Sequence, residues 1–231
     1  MYSLVCTKDC TLHLDSLTRQ RNHLNMERIK LFVVALMATM FLVSCGGGSK
    51  NDEWSKFRGN ISNNGYSKNS APKELSNLRW KFKTEDEVIS SPAVADGTVF
   101  FGSEDTYLYA VDMKTGQEKW KFKTEDYIHS SPAVAYGTVF LGSADSYLYA
   151  VDMKTGQKKW RFKTETIIFS NPAVANGIVF FSGTFYLYAV DIKTGQEKWK
   201  FKTEDYIFSS PAVADGTVFF GSEDNNVYAV E

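Results

Sequence analysis

Residues 120–159 read WKFKTEDYIHSSPAVAYGTVFLGSADSYLYAVDMKTGQKK, and closely similar units begin at Trp80, Trp160 and Trp199. The four tryptophans are 40, 40 and 39 residues apart. A repeat of about 40 residues has the length of one four-stranded β-propeller blade. The spacing therefore predicts an all-β fold built from neighbouring blades.

Short apolar runs within each unit are separated by turn signals. Asp96-Gly97 and its three equivalents suit two-residue hairpin loops that need positive φ. The first unit then divides into strands beginning at Pro92 and covering Thr98–Gly102, 107–111 and 119–124. Consecutive apolar residues in the second and third strands predict that both faces of each sheet are covered by neighbouring blades.

The fourth strand alternates with a period of two. Lysines lie on one face between Lys119 and Lys123, whereas Trp120, Phe122 and Thr124 lie on the other. A lysine row is a common protection of an exposed sheet edge. This strand is therefore predicted to be the outer edge of each blade.

The number of strands leaves three arrangements open. A fourth-strand segment near Trp80 precedes the first complete unit, while the last unit reaches Glu231 without one. The N-terminal segment could complete the last blade and close a four-blade ring. The alternatives are an open arc of four blades and a homodimer that pairs two half-rings.

The segment from Ala110 to Trp120, AVDMKTGQEKW, recurs in two later units. It resembles the tryptophan-docking motif A-x-D-x-x-T-G-x-x-x-W of the pyrroloquinoline-quinone (PQQ)-like β-propeller repeats, and the resemblance covers Trp80 to Glu231. It implies that each indole packs against the neighbouring blade and that members usually have about eight blades. The structural docking residues are then Trp80, Trp120, Trp160 and Trp199.

The N-terminal region has the layout of an export signal. A basic start at 26–30 is followed by an apolar run at 31–43 that is too short to span a bilayer. The sequence LVSC at 42–45 resembles a bacterial lipobox, which implies lipidation of Cys45.

These features predict four segments. Residues 1–25 form an untranslated or disordered extension, and 26–45 form the signal peptide. Residues 46–75 combine a flexible tether with a lead-in at Trp54 that resembles the W-x-x-F-R-G sequence before PQQ-like blades. Residues 76–231 carry the propeller repeats.

The repeat region offers little catalytic chemistry. A net charge of −1 gives no electrostatic reason to expect nucleic acid. His129 is the only histidine in the repeats and no cysteine accompanies it, so neither a metal site nor a catalytic residue is predicted. The aspartates of the docking motif are interpreted as turn residues. PQQ-dependent dehydrogenases are much longer chains, so the sequence predicts a non-enzyme without a cofactor.

Variation between the units is concentrated in two loops. The connection after each fourth strand reads EDEVI, EDYIH, ETIIF or EDYIF, and the loop after the second strand is one residue shorter in the third unit. In a propeller both loops emerge on one face, where binding elements are common. Solvation of exposed loops would explain their acids equally well. The candidate binding residues are Tyr127, Tyr206, His129, Phe169, Phe208, Glu125, Asp126, Glu204 and Asp205.

Anchor and repeats together resemble the BamB-type lipoproteins of the outer-membrane barrel-assembly machinery. The resemblance implies a non-catalytic scaffold in the bacterial cell envelope that binds envelope proteins, including barrel-assembly components. It favours the periplasmic face of the outer membrane over the inner membrane or the cell surface. A glycan-binding or sensor propeller is the alternative, and a PQQ-dependent dehydrogenase ranks third.

Overall fold

The computed structural model describes Glu74 and residues 77–231. The chain divides into two units, and the second, Lys50–Glu231, contains all the described residues. The described residues form fifteen β-strands and no helix, and they therefore contain no helix long and apolar enough to cross a membrane. The predicted extension, the signal peptide with Cys45, and the tether and lead-in except Glu74 lie outside the described residues.

The strands form four antiparallel meanders in chain order, here called blades 1 to 4. Blade 1 contains β1 (Ala93–Ala95), β2 (Thr98–Gly102), β3 (Tyr107–Asp112) and β4 (Glu118–Lys123). Blade 2 contains β5 (Ala133–Ala135), β6 (Thr138–Gly142), β7 (Tyr147–Asp152) and β8 (Lys158–Lys163). Blade 3 contains β9 (Ala173–Ala175), β10 (Ile178–Gly183), β11 (Tyr186–Asp191) and β12 (Glu197–Lys202). Blade 4 contains β13 (Ala212–Ala214), β14 (Thr217–Gly221) and β15 (Val227–Val230). The predicted all-β propeller architecture is confirmed.

The hairpin between β1 and β2 shows why the local sequence defines these sheets. Asp96 and Gly97 have φ of 49° and 66°, and Ala95 pairs with Thr98 across them. Positive φ at both central residues gives a turn whose twist matches the flanking strands. The equivalent turns repeat this geometry, including Tyr136 with φ of 50°.

Blades pack face to face. Phe100 and Leu108 of blade 1 lie in one buried cluster with Leu141 and Val151 of blade 2. Equivalent clusters join blades 2 and 3 and blades 3 and 4. Every residue of β2 and β6 is buried as a result, as the apolar runs predict.

Three indoles dock on the blade that follows them in the chain. Trp80 donates Nε1–H to the carbonyl of Met113 at 3.0 Å, and Trp120 donates to Met153 at 3.2 Å. Trp160 makes the same bond to the next blade. Gly116, Gly156 and Gly195 lie beneath these rings, where a Cβ would come within 2.8 Å of the indole. Among the described residues, Trp199 donates no such bond. All four indoles are half-buried.

The turn beneath each docked indole is organised by an aspartate. Asp112 Oδ1 accepts hydrogen bonds from the backbone N–H groups of Lys114 and Thr115, both at 2.9 Å. The hydrogen bond from Thr115 lowers the pKa of Asp112 most, followed by the bond from Lys114, and together they bring this pKa to about 2. The same arrangement lowers the pKa of its equivalents. The turn aspartates are Asp112, Asp152 and Asp191.

The four blades form an open arc in this structure. Residues 77–84 do not form a strand but lie against blade 1. The ring of Phe82 there packs edge-on against the ring of Tyr109, with 5.2 Å between the ring centroids. None of the described residues pairs with β15 except β14, so the terminal strand exchange is not formed. Phe219 and Val227 of blade 4 are 40% and 81% exposed, whereas their equivalents in blade 1 are fully buried. The outer face of blade 4 therefore has no neighbour among the described residues.

Candidate functional site: the acidic and aromatic rim

Two sets of loops form one edge of the arc, here called the rim. The entry loops are 85–89, 125–129, 165–169 and 204–208. The tip loops follow the second strand of each blade, at 103–106, 143–146, 184–185 and 222–226. Glu104 donates its N–H to Glu87 O at 2.9 Å within blade 1. Ile128 donates to Ser103 O at 3.2 Å, which joins blade 2 to blade 1. Each tip loop of blades 1 and 2 is thus fixed to its own entry loop and to the following one.

Some rim carboxylates serve the loops themselves. Asp105 accepts hydrogen bonds from the Tyr107 N–H at 3.1 Å and from the Tyr109 hydroxyl at 2.8 Å. Burial, followed by this bond to Asp105, raises the pKa of Tyr109. Asp145 and Asp224 make the same tyrosine bonds in blades 2 and 4. These three aspartates are held inside the loops and are poor candidates for binding a ligand.

The predicted acidic residues remain more accessible. Asp126 Oδ1 accepts only a local bond from the Tyr127 N–H at 2.8 Å, and Asp205 makes the same bond in blade 4. Glu125, Asp126 and Glu204 are exposed, and Asp205 is half-buried. The rim therefore presents carboxylates to solvent on both sides of the entry loop of blade 3.

Aromatic rings line the junction of blades 2 and 3. His129 lies 4.5 Å from Tyr127 and 5.5 Å from Phe169 between ring centroids. Its Nε2 lies 2.7 Å from Glu104 Oε1, so the side chain bridges the tip loop of blade 1 and the entry loop of blade 2. The sequence analysis identifies His129 as a candidate binding residue but does not identify its pairing with Glu104. Comparing each entry loop with the tip loop of the preceding unit would have shown Glu104 beside it.

A second aromatic group lies at the junction of blades 3 and 4. The Tyr206 ring is 4.8 Å from Phe185 and 5.8 Å from Phe208. A cleft of about 260 Å³ opens beside it, lined by Ile167, Phe169, Ser182, Thr184, Tyr206, Ile207 and Phe208. Phe169 belongs to both groups. The predicted aromatic residues therefore form one row along the rim, and the cleft is a feature that sequence reasoning missed.

No cluster of three or more His, Cys, Asp or Glu side chains that could hold a metal occurs in the described part of the chain. The rim instead combines exposed carboxylates with half-exposed rings on loops tied to rigid sheets. Such a surface is suited to non-covalent recognition.

Solved structures share this architecture at low sequence identity. Quinohemoprotein alcohol dehydrogenase ADHIIG from Pseudomonas putida HK5 is 22% identical with a TM-score of 0.66, over 78% of this chain and 38% of its own. BamB from Moraxella catarrhalis is 18% identical with a TM-score of 0.60, over 66% and 49%. The computationally designed Ika4 protein is 19% identical with a TM-score of 0.60, over 69% and 98%. The match thus spans less than half of either natural protein, and identities this low show the fold alone.

Sequence comparison is more specific than the fold. No curated protein sequence matches the chain. The model of the family described as outer membrane protein assembly factor BamB matches residues 74–170 and 166–231, which together cover the whole repeat region. The chain therefore belongs to the BamB family of PQQ-like β-propeller proteins.

Proposed function

We propose that this protein is a lipid-anchored, non-catalytic scaffold of the bacterial cell envelope that holds a segment of a partner protein on its rim. The observation that carries the proposal is the row of accessible rings and carboxylates on loops fixed by hydrogen bonds to rigid blades. Membership of the BamB family supports a role in outer-membrane protein assembly. Barrel-assembly components are the favoured partners.

The proposed anchor rests on the lipobox-like sequence at 42–45. Lipidation of Cys45 tethers the repeats to a membrane, and the BamB-family match favours the periplasmic face of the outer membrane. The polar segment at 46–50, GGGSK, supplies a flexible spacer between lipid and blades. Recovery of the protein in inner-membrane fractions, or its labelling at the cell surface, would contradict this location.

Partner capture tests the scaffold directly. Tyr127 and Tyr206 are replaced by alanine in the full chain, which then serves as bait in a pull-down from envelope extract. We expect loss of the captured envelope protein with an unchanged thermal melt, because neither ring contributes to a buried cluster. Tyr136→Ala is the matched control, since this exposed tyrosine lies in a turn on the opposite edge. Unaltered capture by the double variant contradicts the scaffold.

The dehydrogenase neighbours suggest a test for the opposite function. A quinone-dependent enzyme of this fold needs a quinone and a Ca²⁺ held by oxygen ligands. Among the described residues, no three His, Cys, Asp or Glu side chains come together as ligands for a metal ion. We expect no dye-linked alcohol oxidation after addition of PQQ and Ca²⁺. Alcohol oxidation above the level without protein would contradict the scaffold.

We also propose that two copies of the chain pair as half-rings. Residues 77–84 already lie on blade 1 as β4 lies on blade 2, because Trp80 and Trp120 make equivalent bonds. The same residues of a second copy can pair with the free edge of β15 and cover Phe219 and Val227. Light scattering on the chain in detergent should give twice the monomer mass. A monomer at micromolar concentration would contradict the pairing.

A further inference from the structure

The cleft between blades 3 and 4 exists because the third repeat departs from the others. In blade 1 the backbone at Gly102 is covered by Ile128, and a Cβ at position 102 would lie 2.8 Å from the Cβ of that isoleucine. Blade 2 repeats the contact between Gly142 and Ile168. Ser182 stands at the equivalent position of blade 3. Since Ser182 carries a side chain there, Ile207 cannot close over the backbone as Ile128 does.

The serine is firmly placed, so the opening is a built feature. Ser182 is buried and donates its hydroxyl to Ser209 O at 2.9 Å. The shortened tip loop of blade 3 is held by the Ile207 N–H, which donates to Thr184 O at 2.6 Å. Thr184 also shares a hydrogen bond with the Thr166 hydroxyl. The two polar side chains that line the cleft are therefore engaged within the protein.

The remaining walls are apolar. Ile167, Phe169, Tyr206, Ile207 and Phe208 surround the space, and Phe208 is 54% exposed. A volume of about 260 Å³ lies below the roughly 300–1,000 Å³ of pockets that enclose drug-sized ligands. The size and chemistry suit one large apolar side chain.

The charges beside the cleft are mostly negative. Glu165 precedes Ile167 by two residues, and Glu204 precedes Tyr206 by two residues, both exposed. The exposed Glu223 donates its N–H to Tyr206 O at 2.8 Å, which places a third carboxylate-bearing residue there. Lys200 Nζ lies 3.9 Å from Glu165 Oε1. Basic side chains on a partner would complement this field.

We propose that the cleft between blades 3 and 4 binds an extended protein segment in which a phenylalanine or leucine side chain, flanked by lysine or arginine, enters between Ile167 and Phe208. The inference rests on the proposed function, because it names the chemistry of the segment that the rim holds. The irregular third repeat makes this junction a specific site on an otherwise repetitive surface.

The experiment measures anisotropy of fluorescent peptides with the full chain in a mild detergent. The probes alternate lysine with phenylalanine, lysine with serine, or glutamate with phenylalanine. The lysine-phenylalanine peptide should bind about tenfold or more tightly than either control, a difference of about 1.4 kcal/mol. Equal binding of the lysine-serine peptide would overturn the apolar anchor, and equal binding of the glutamate-phenylalanine peptide would overturn the charge complementarity.

A matched pair of variants locates the binding. Phe208→Ser should weaken the lysine-phenylalanine peptide about tenfold, whereas Ile89→Ser should leave it unchanged. Both side chains occupy the same position in their repeats and are similarly exposed, at 54% and 53%, so neither variant should disturb folding. If the two variants bind the lysine-phenylalanine peptide with equal affinity, the peptide does not occupy the cleft and the proposal is wrong. The proposal is also wrong if a cell-wall oligosaccharide displaces the peptide equally well from both variants.

The experiments can show separately whether the cleft proposal or the scaffold proposal is wrong. Loss of partner capture in Tyr127→Ala with full capture in Phe208→Ser would leave the scaffold standing and overturn the cleft. Peptide binding that depends on Phe208, together with no capture of any envelope protein, would support the cleft and overturn the scaffold.

Discussion

Replacement of Trp120 by phenylalanine removes the bond that most clearly joins two blades. The indole N–H of Trp120 donates to Met153 O at 3.2 Å, and its ring covers Gly156. Loss of a partly buried hydrogen bond costs about 0.5–1.5 kcal/mol. Trp120 is half-buried, so the missing part of the ring adds about 1 kcal/mol at roughly 0.8 kcal/mol per buried carbon. Trp120→Phe should therefore lower the free energy of unfolding by about 2 kcal/mol.

Trp199→Phe is the matched control. Trp199 packs on Phe180 at 5.7 Å between ring centroids, as Trp120 packs on Phe100, but makes no docking bond within the described residues. Its replacement should cost about 1 kcal/mol or less. Urea unfolding followed by circular dichroism gives both values, and the difference in the melting temperature should be a few degrees. Equal losses for the two variants would refute indole docking as the source of blade adhesion.

Three further predictions concern the blade seams, acid stability and the anchor. Gly142→Ala should cost about 1–3 kcal/mol by forcing a Cβ against Ile168, whereas Gly183→Ala, whose nearest neighbour is Tyr188 Cε2 at an ordinary contact distance of 3.4 Å, should cost much less in the same unfolding assay. The pKa of the turn aspartates is lowered on folding, so the unfolded chain binds more protons between about pH 4 and pH 2, and stability should fall as pH falls through this range. Measuring the melting temperature as a function of pH checks this. Replacing all three turn aspartates by asparagine should make the melting temperature less dependent on pH in this range, and an unchanged pH dependence would contradict the prediction. Cys45→Ala should move the protein from the membrane to the soluble fraction, and retention in the membrane would argue against a lipid anchor.

The strands could be predicted because their signals are local and repeated. The β2 bounds agree with the sequence prediction, and the predicted fourth strand differs from β4 (Glu118–Lys123) by one residue at each end. The Asp96-Gly97 turn is a local feature, since both of its central residues adopt positive φ within one hairpin. The alternation of Trp120 and Phe122 with lysines is likewise a property of one strand.

The arrangement of the ends could not be predicted in this way. Whether residues 77–84 reach β15 depends on the small rotation between successive blades, summed over the arc, and no residue spacing encodes that rotation. The pairing of His129 with Glu104 was missed because it joins two repeats. The sequence shows that Ser182 replaces the glycine found at this position in the first two repeats. The cleft beside Ser182 could not be predicted, because it depends on the position of Ile207 in three dimensions.

The central claim is that the rim, and not the opposite edge, meets a partner protein. Site-specific photo-cross-linking in living cells tests it most directly, with a photoreactive residue placed at Tyr206 or at Tyr136 in the full-length chain. The account predicts a discrete adduct from position 206, with the cross-linked peptide basic and apolar by mass spectrometry, and no adduct from position 136. An adduct formed only from position 136, or equally from both positions, would contradict it.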